Sequence, residues 1–345
     1  MFLAVIAALF TVSPSASAGP IWCVPFLNCD SDSGDSTFSA ASLPGNWSQG
    51  SFKDQNGHRS YYLYIPQNKP TGALPLVLAL HGCTEAAPNF AAQSGLNDVA
   101  EKYGFAIVYP QETQDDNQMK CWNWFDPANQ VRGGGEMDIA MGIINQVSSQ
   151  IQIDTSRVYV AGFSSGAAMA SNLLACYSDV FAGGFIHSGL EYAAASSTMD
   201  AFSAQSSGSQ VSPTTSGHHA AKCTGSGAKL ENILILHGSS DSIVNPVNST
   251  QVLKQFTQMN NDLDPTQTDK VVGTQSYTVP GGYKYTMNSY GGTSGIHIVS
   301  VTVDGMDHAW SGAHKNGPYM DPKGPDASEM MWQFFNRSGA SSQAP

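Results

Sequence analysis

Apolar residues in this chain fall into short unbroken runs, and between those runs they recur at helical spacing. Tyr61 to Ile65, Leu76 to Leu80, Ala106 to Tyr109, Val158 to Phe163, Gly183 to His187, Ile233 to Leu236 and Ile298 to Val303 show the first pattern. Phe90 to Tyr103, Met137 to Ile151, Val247 to Met259 and Glu329 to Phe335 show the second. Strands that are apolar throughout, not on alternate residues, belong to a sheet covered on both faces, and helices between them make that sheet mostly parallel. The pattern predicts an α/β fold: a mostly parallel central sheet with helices on both faces. Two stretches interrupt it. Residues 193–223 are a Ser/Ala/Thr-rich insertion, read equally as a cap over a site or as a surface loop, and residues 262–292 are polar with an expected hairpin. Gly133-Gly134-Gly135 is followed by neither G-K-[ST] nor a dinucleotide fingerprint, so it reads as a tight turn into a helix capped by Glu136 or Asp138.

The run from Val158 to Gly166 is a strand passing into G-x-S-x-G, and Ala167-Ala168-Met169-Ala170 then opens a helix. A serine in that context sits on a sharp strand-to-helix turn with its hydroxyl above the sheet, the nucleophile elbow of an α/β-hydrolase. Such a serine needs a base and an orienting acid, which follow it in the order Ser, Asp/Glu, His. Asp241 lies on the loop just past the strand Leu234-Ile235-Leu236, and His308 lies just past the last strand, so the expected triad is Ser164, Asp241 and His308. Asp304 and Asp307 are too near His308 in sequence to reach it as Asp241 can, and His187 and His237, flush with strand ends, read as packing or hydrogen-bonding histidines. An oxyanion needs two converging amides. Ser165, after the nucleophile, supplies one, and Cys83, after Leu80-His81-Gly82, supplies the other. Trp122, Trp124, Tyr192 and Trp310 cluster near these loops and are candidates for lining an apolar site, or for ordinary packing beneath the loops.

Composition narrows the partners. Only 12% of the 345 residues are charged and the net charge is −12, which argues against nucleic acid and an anionic membrane surface. An uncharged polymer remains open. Residues 1–18 read as a secretory signal peptide: the apolar run from Met1 to Phe10 is too short to span a bilayer, and Ala16-Ser17-Ala18 is a cleavage site, although no Lys or Arg precedes the run. Residues 19–50 read as an irregular arm, 51–338 as a single catalytic domain and 339–345 as a tail. Six cysteines in an exported chain suggest three disulfides with fifteen possible pairings; nearest-neighbour pairing joins Cys23 to Cys29, Cys83 to Cys121 and Cys176 to Cys223. No C-x-x-C spacing supports a metal. Asp30-Ser31-Asp32-Ser33-Gly34-Asp35 has Ala41 where a calcium loop needs its glutamate, so it reads as a solvated acidic loop. The sequons at Asn46, Asn248 and Asn336 are acceptors only in a eukaryotic host.

Taken together, Leu80-His81-Gly82-Cys83-Thr84, Cys121-Trp122-Asn123-Trp124-Phe125, the Gly162 to Gly166 elbow, Asp241 with Val244-Asn245-Pro246, and Gly305 to Gly312 make the chain from about Arg59 to Phe335 resemble the secreted esterases of the polyhydroxybutyrate depolymerase type. The resemblance implies an α/β-hydrolase fold, the triad Ser164, Asp241 and His308, no cofactor, and a bridge between Cys83 and Cys121. It suggests a monomeric secreted esterase acting on poly(3-hydroxybutyrate), another short-chain hydroxyalkanoate polyester, or their oligomers. Relatives of the same type act as feruloyl and acetylxylan esterases, which is the alternative. A non-catalytic binding protein on a hydrolase scaffold is the distant third.

Overall fold

The computed structural model describes residues 44–339 apart from 267–269 and 293. The leader, most of the N-terminal arm with Cys23, Cys29 and the Asp30–Asp35 loop, and the tail past 339 lie outside the described residues.

Continuous apolarity does produce two-sided burial. Strand β3 (Leu74–Leu80) is buried at every residue; Leu76, Leu78 and Leu80 enter one core and Val77 and Ala79 the other. Around it run β1 (Asn46–Asp54), β2 (Gly57–Ile65), β4 (Ala106–Pro110), β5 (Ile153–Phe163), β6 (Gly183–His187), β7 (Ile233–Gly238), β8 (Lys270–Thr278), β9 (Lys284–Gly292) and β10 (Gly295–Val303). Their order in the ten-stranded sheet is β1-β2-β4-β3-β5-β6-β7-β10-β9-β8. The six strands from β4 to β10 pair in parallel. Both edges are antiparallel, with the β1–β2 hairpin on one side and the β8–β9 hairpin on the other. One core is covered by α3 (Gly135–Gln150), α4 (Ser165–Cys176) and α7 (Val247–Leu263). The opposite core is covered by α1 (Ala87–Ser94), α2 (Leu96–Tyr103) and α8 (Ala327–Phe335). No helix among the described residues is long and apolar enough to cross a membrane.

Four details differ from the sequence reading. The helical run Phe90 to Tyr103 is two helices, because Gly95 adopts φ 82°, a left-handed conformation open to glycine, and ends the first. Strand β1 starts at Asn46, so the arm becomes regular before residue 50. The insertion folds into α5 (Thr198–Ser207) and α6 (Pro213–Cys223). Helix α6 docks so closely on α7 that a Cβ on Gly217 would lie 2.5 Å from Gln258 Cβ. Finally, neither Glu136 nor Asp138 caps α3; the Glu136 amide donates instead to Asn129 Oδ1 at 2.6 Å, and Glu136 turns its carboxylate to Asn123. Two of the nearest-neighbour disulfides are present, Cys83–Cys121 and Cys176–Cys223, the second tying α6 to the end of α4.

Candidate active site

Strand β5 delivers Ser164 to the C-terminal edge of the parallel strands with φ 55° and ψ −119°, outside the region a non-glycine residue favours. That strain, of order 1–3 kcal/mol, persists only where the surroundings over-determine it. Here they do. A Cβ on Gly162 would overlap the Gly166 carbonyl, a Cβ on Gly166 would overlap the Leu80 carbonyl, and the Ser164 amide donates to His187 O at 3.0 Å. The small residues of the elbow thus let strand β5 and helix α4 close onto β3.

Asp241 follows β7 and His308 follows β10, its parallel neighbour, so the two loops meet above adjacent strand ends. His308 Nδ1 is 2.8 Å from Asp241 Oδ2. Asp241 Oδ1 accepts the amides of Ile243 and Val244 at 3.0 and 2.8 Å. His237 Nε2 also lies 3.2 Å from Asp241 Oδ2 while facing the Val244 carbonyl at 2.8 Å. Burial alone would raise the Asp241 carboxyl, but the bonds from His237 and His308 overcome it and hold the group well below the usual carboxylate range. Asp241 is therefore a buried, ionised acceptor that fixes the His308 ring. That ring stacks on Phe163, the residue before Ser164, at 4.9 Å between centroids, and meets Tyr319 edge-on at 6.0 Å. Ser164, Asp241 and His308 are thus gathered from three strand ends, each almost wholly buried.

Asp307 does not orient the imidazole but has a part of its own. Its Oδ1 accepts the His308 amide at 2.8 Å and the amide and hydroxyl of Ser242 at 2.9 Å each, so it ties the His308 loop to the Asp241 loop. Asp304 is exposed, and its backbone amide donates to Lys284 O. His187 and His237 are the hydrogen-bonding histidines expected. His187 Nε2 accepts the Ser311 amide at 3.0 Å, and burial holds its imidazole neutral.

Two amides are expected to receive an oxyanion, those of Ser165 and Cys83. Ser165 is the first residue of α4, and Cys83 follows β3 in a loop held to Cys121 by the disulfide. Among the described residues neither amide donates to a protein acceptor, while those of Gly82 and Thr84 do, to Glu85 Oε2 and Met119 O. The four aromatic candidates are core residues instead of open walls. Trp310 is fully buried between Phe90 and His187, its indole N–H given to Ser328. Trp122 donates to His81 O and Tyr192 to Gln130 O, and Trp124 packs edge-on with Phe125 in the α3–α4 core. Packing beneath the loops, the second of the two readings offered for them, is what they do.

Sequence reasoning passed over Glu85, Tyr319 and Arg59. Arg59 is buried against Glu112 at 2.9 Å and Glu136 at 3.4 Å, with Asp116 also paired to it. Glu112 in turn gives its amide to His81 Nε2, so this charge cluster supports the segment under the Cys83 loop. No local spacing could have announced it, since its members come from three separate segments.

A parallel-centred sheet with a strained serine elbow after β5 and an Asp–His pair past the ends of β7 and β10 defines an α/β-hydrolase of the serine type. The profile of the family described as "Esterase PHB depolymerase" matches residues 59–280, and the chain belongs to that family. Poly(3-hydroxyalkanoate) depolymerase C of Paucimonas lemoignei is 35% identical over 260 residues, 74% of this chain and 60% of that protein. The chain thus spans about three-fifths of that relative's length. Feruloyl esterase B of Thermothelomyces thermophilus is 30% identical over 275 residues, 74% of this chain and 86% of the relative. Among solved structures, an acetyl xylan esterase from Aspergillus awamori has the same fold, with a TM-score of 0.65 at 22% identity over 84% of this chain and 99% of that one.

Proposed function

We propose that this chain is a secreted serine esterase that cleaves the ester bonds of poly(3-hydroxybutyrate), of similar short-chain hydroxyalkanoate polyesters, or of their oligomers. The chemistry rests on one observation above all, the 2.8 Å pair between Asp241 and His308 beside the strained Ser164 elbow. Asp241 holds His308 by Nδ1, which leaves Nε2 to take the proton from Ser164 Oγ as that oxygen attacks the ester carbonyl. The tetrahedral oxyanion is received by the Cys83 and Ser165 amides. Protonated His308 then returns the proton to the departing alcohol. Water, activated by the same imidazole, releases the hydroxyacid from the acyl-serine. The polyester assignment draws on the 35% identity to a poly(3-hydroxyalkanoate) depolymerase, and the net charge of −12 leaves an uncharged polymer open as substrate.

A feruloyl or acetylxylan ester is the second reading, favoured by the feruloyl and acetylxylan esterases at 28–31% identity. Release of 3-hydroxybutyrate from amorphous poly(3-hydroxybutyrate), measured beside ferulate release from methyl ferulate, separates the two. Wild type should release 3-hydroxybutyrate and Ser164→Ala should lose about 10⁵-fold or more in kcat with its fold intact. Ferulate release without polyester cleavage would transfer the same triad to plant-wall esters.

A further inference from the structure

The loop that carries the Cys83 amide is braced by a carboxyl that the mechanism above does not use. Glu85 Oε2 accepts the Gly82 amide at 2.8 Å, closing a turn around Cys83 and Thr84. Thr84 sits inside that turn at φ 64°. The same carboxyl and the nucleophile elbow approach one glycine. A Cβ built on Gly82 would stand 2.9 Å from Glu85 Oε2, 3.0 Å from the Phe163 ring and 3.3 Å from Ser164 Cβ, so Glu85 and the elbow both come close to Gly82. Across from them is Tyr319, itself at φ 57° and edge-on to the His308 ring.

We propose that Glu85 is a positioning residue of the oxyanion loop, one that aims the Cys83 amide through Gly82. The inference rests on the serine-esterase reading. Its physical reason is the place of the carboxyl. Charge develops on the substrate oxygen beside Cys83, and a carboxylate close by would repel it, whereas a neutral acid still accepts the Gly82 N–H through its carbonyl oxygen. Burial pushes the Glu85 carboxyl up to about 8, with the Gly82 amide pulling the other way. The groups facing it are the Gly82 amide from its own loop, Phe163 and Ser164 from the end of β5, and Tyr319 from the segment just before Met320. Burial also raises the Tyr319 phenol, the Glu85 charge adds to that, and the Thr84 hydroxyl works against it. His308, with Asp241 behind it, lies beyond Tyr319 and Phe163.

The test uses the full chain with p-nitrophenyl butyrate, measuring kcat and KM from pH 6 to 10. For wild type, kcat/KM should fall as pH rises through about 8. Glu85→Gln retains an acceptor for Gly82 but cannot ionise, so it should keep kcat within about twofold at pH 7 and lose the alkaline fall. Glu85→Ala should lose about tenfold in kcat with little change in KM, a fraction of the loss for removing an oxyanion donor itself. An alkaline fall unchanged in Glu85→Gln, or wild-type kcat in Glu85→Ala, overturns the inference. Ser164→Ala assayed in parallel keeps the two questions apart: turnover surviving there overturns the serine-esterase reading, whatever the Glu85 variants do.

Discussion

Asp241 shows how much a single carboxylate can be asked to hold. One oxygen takes two backbone amides and the other faces His308 and His237, so the side chain has no rotational freedom left. Replacing it with asparagine keeps the shape but presents an amide N–H2 or a neutral oxygen to His308 Nδ1, and the imidazole loses both its preferred tautomer and the stabilisation of its protonated form. Asp241→Asn should therefore lower kcat about 10⁴-fold with KM little changed, read by steady-state kinetics beside a thermal melt that shows the protein folded. A loss below about tenfold would mean that another group orients His308. At this scale the sequence was informative for groups whose chemistry has a local signature. Ser164 announces itself by its flanking glycines, and Asp241 and His308 by following strands in the right order. Glu85 and Tyr319 carry no such signature: their significance lies in facing Ser164 and His308 across space.

Between elements, the most exposed tie of consequence is His314. Its Nδ1 lies 3.0 Å from Asp98 on α2, and its Nε2 lies 3.0 Å from Asp326, the residue whose other oxygen caps α8. The Asp326 and Asp98 carboxylates raise the His314 imidazole to about 9, against the opposing effect of burial. The folded pKa lies above the ordinary value of about 6.5, so folding favours the protonated ring. Its stabilisation is full below about 6.5, falls through the window up to about 9, and is absent above it. The side chain is 33% exposed, and solvent screening limits the gain to roughly 1 kcal/mol. His314→Gln should thus melt about 2–4 °C below wild type at pH 6, with the gap closing by pH 10; a gap independent of pH would assign the effect to packing. The elements themselves were legible where apolar runs were long. They were misread where one residue governed the outcome, as Gly95 does in splitting α1 from α2. The two helices of the 193–223 insertion were not legible because the apolar stripe of α6 is made of small residues, Gly217 and Ala220, whose burial depends on α7 lying against them.

Across the whole molecule, the Arg59 cluster joins β2 to the loop beneath Cys83 and to the start of α3. Burial pushes the Glu112 carboxyl up to about 9, neighbouring Glu136 adds to this, and the Arg59 charge opposes both. A guanidinium in that position compensates several acids at once, so its removal leaves buried carboxyls without a counter-charge. Arg59→Met should cost about 3–5 kcal/mol, seen as a lower urea midpoint with an unchanged slope. An unchanged midpoint would show that the cluster neutralises itself by taking up protons. The surrounding architecture also explains why the site is so enclosed: the triad lies where six parallel strands end, between a core under α3, α4 and α7 and another under α1, α2 and α8.

By itself the sequence determined the class of fold and the strand-to-helix serine elbow, and it named the acid and base proposed to serve that serine, because each of these depends on periodicity, on residues adjacent in the chain or on the order in which they follow strands. Tertiary structure decided the rest. It put Trp122 and Trp310 into the core by giving their indole N–H groups internal acceptors. It buried Asn248, whose side-chain amide donates to Ala204 O, and so removed one of the three sequons from the surface. It also brought Glu85 to Gly82 beside Ser164 and gathered Arg59 with three acids. Those outcomes depend on distances between residues far apart in the chain, and such distances exist only once the sheet has closed its register and the helices have packed against it.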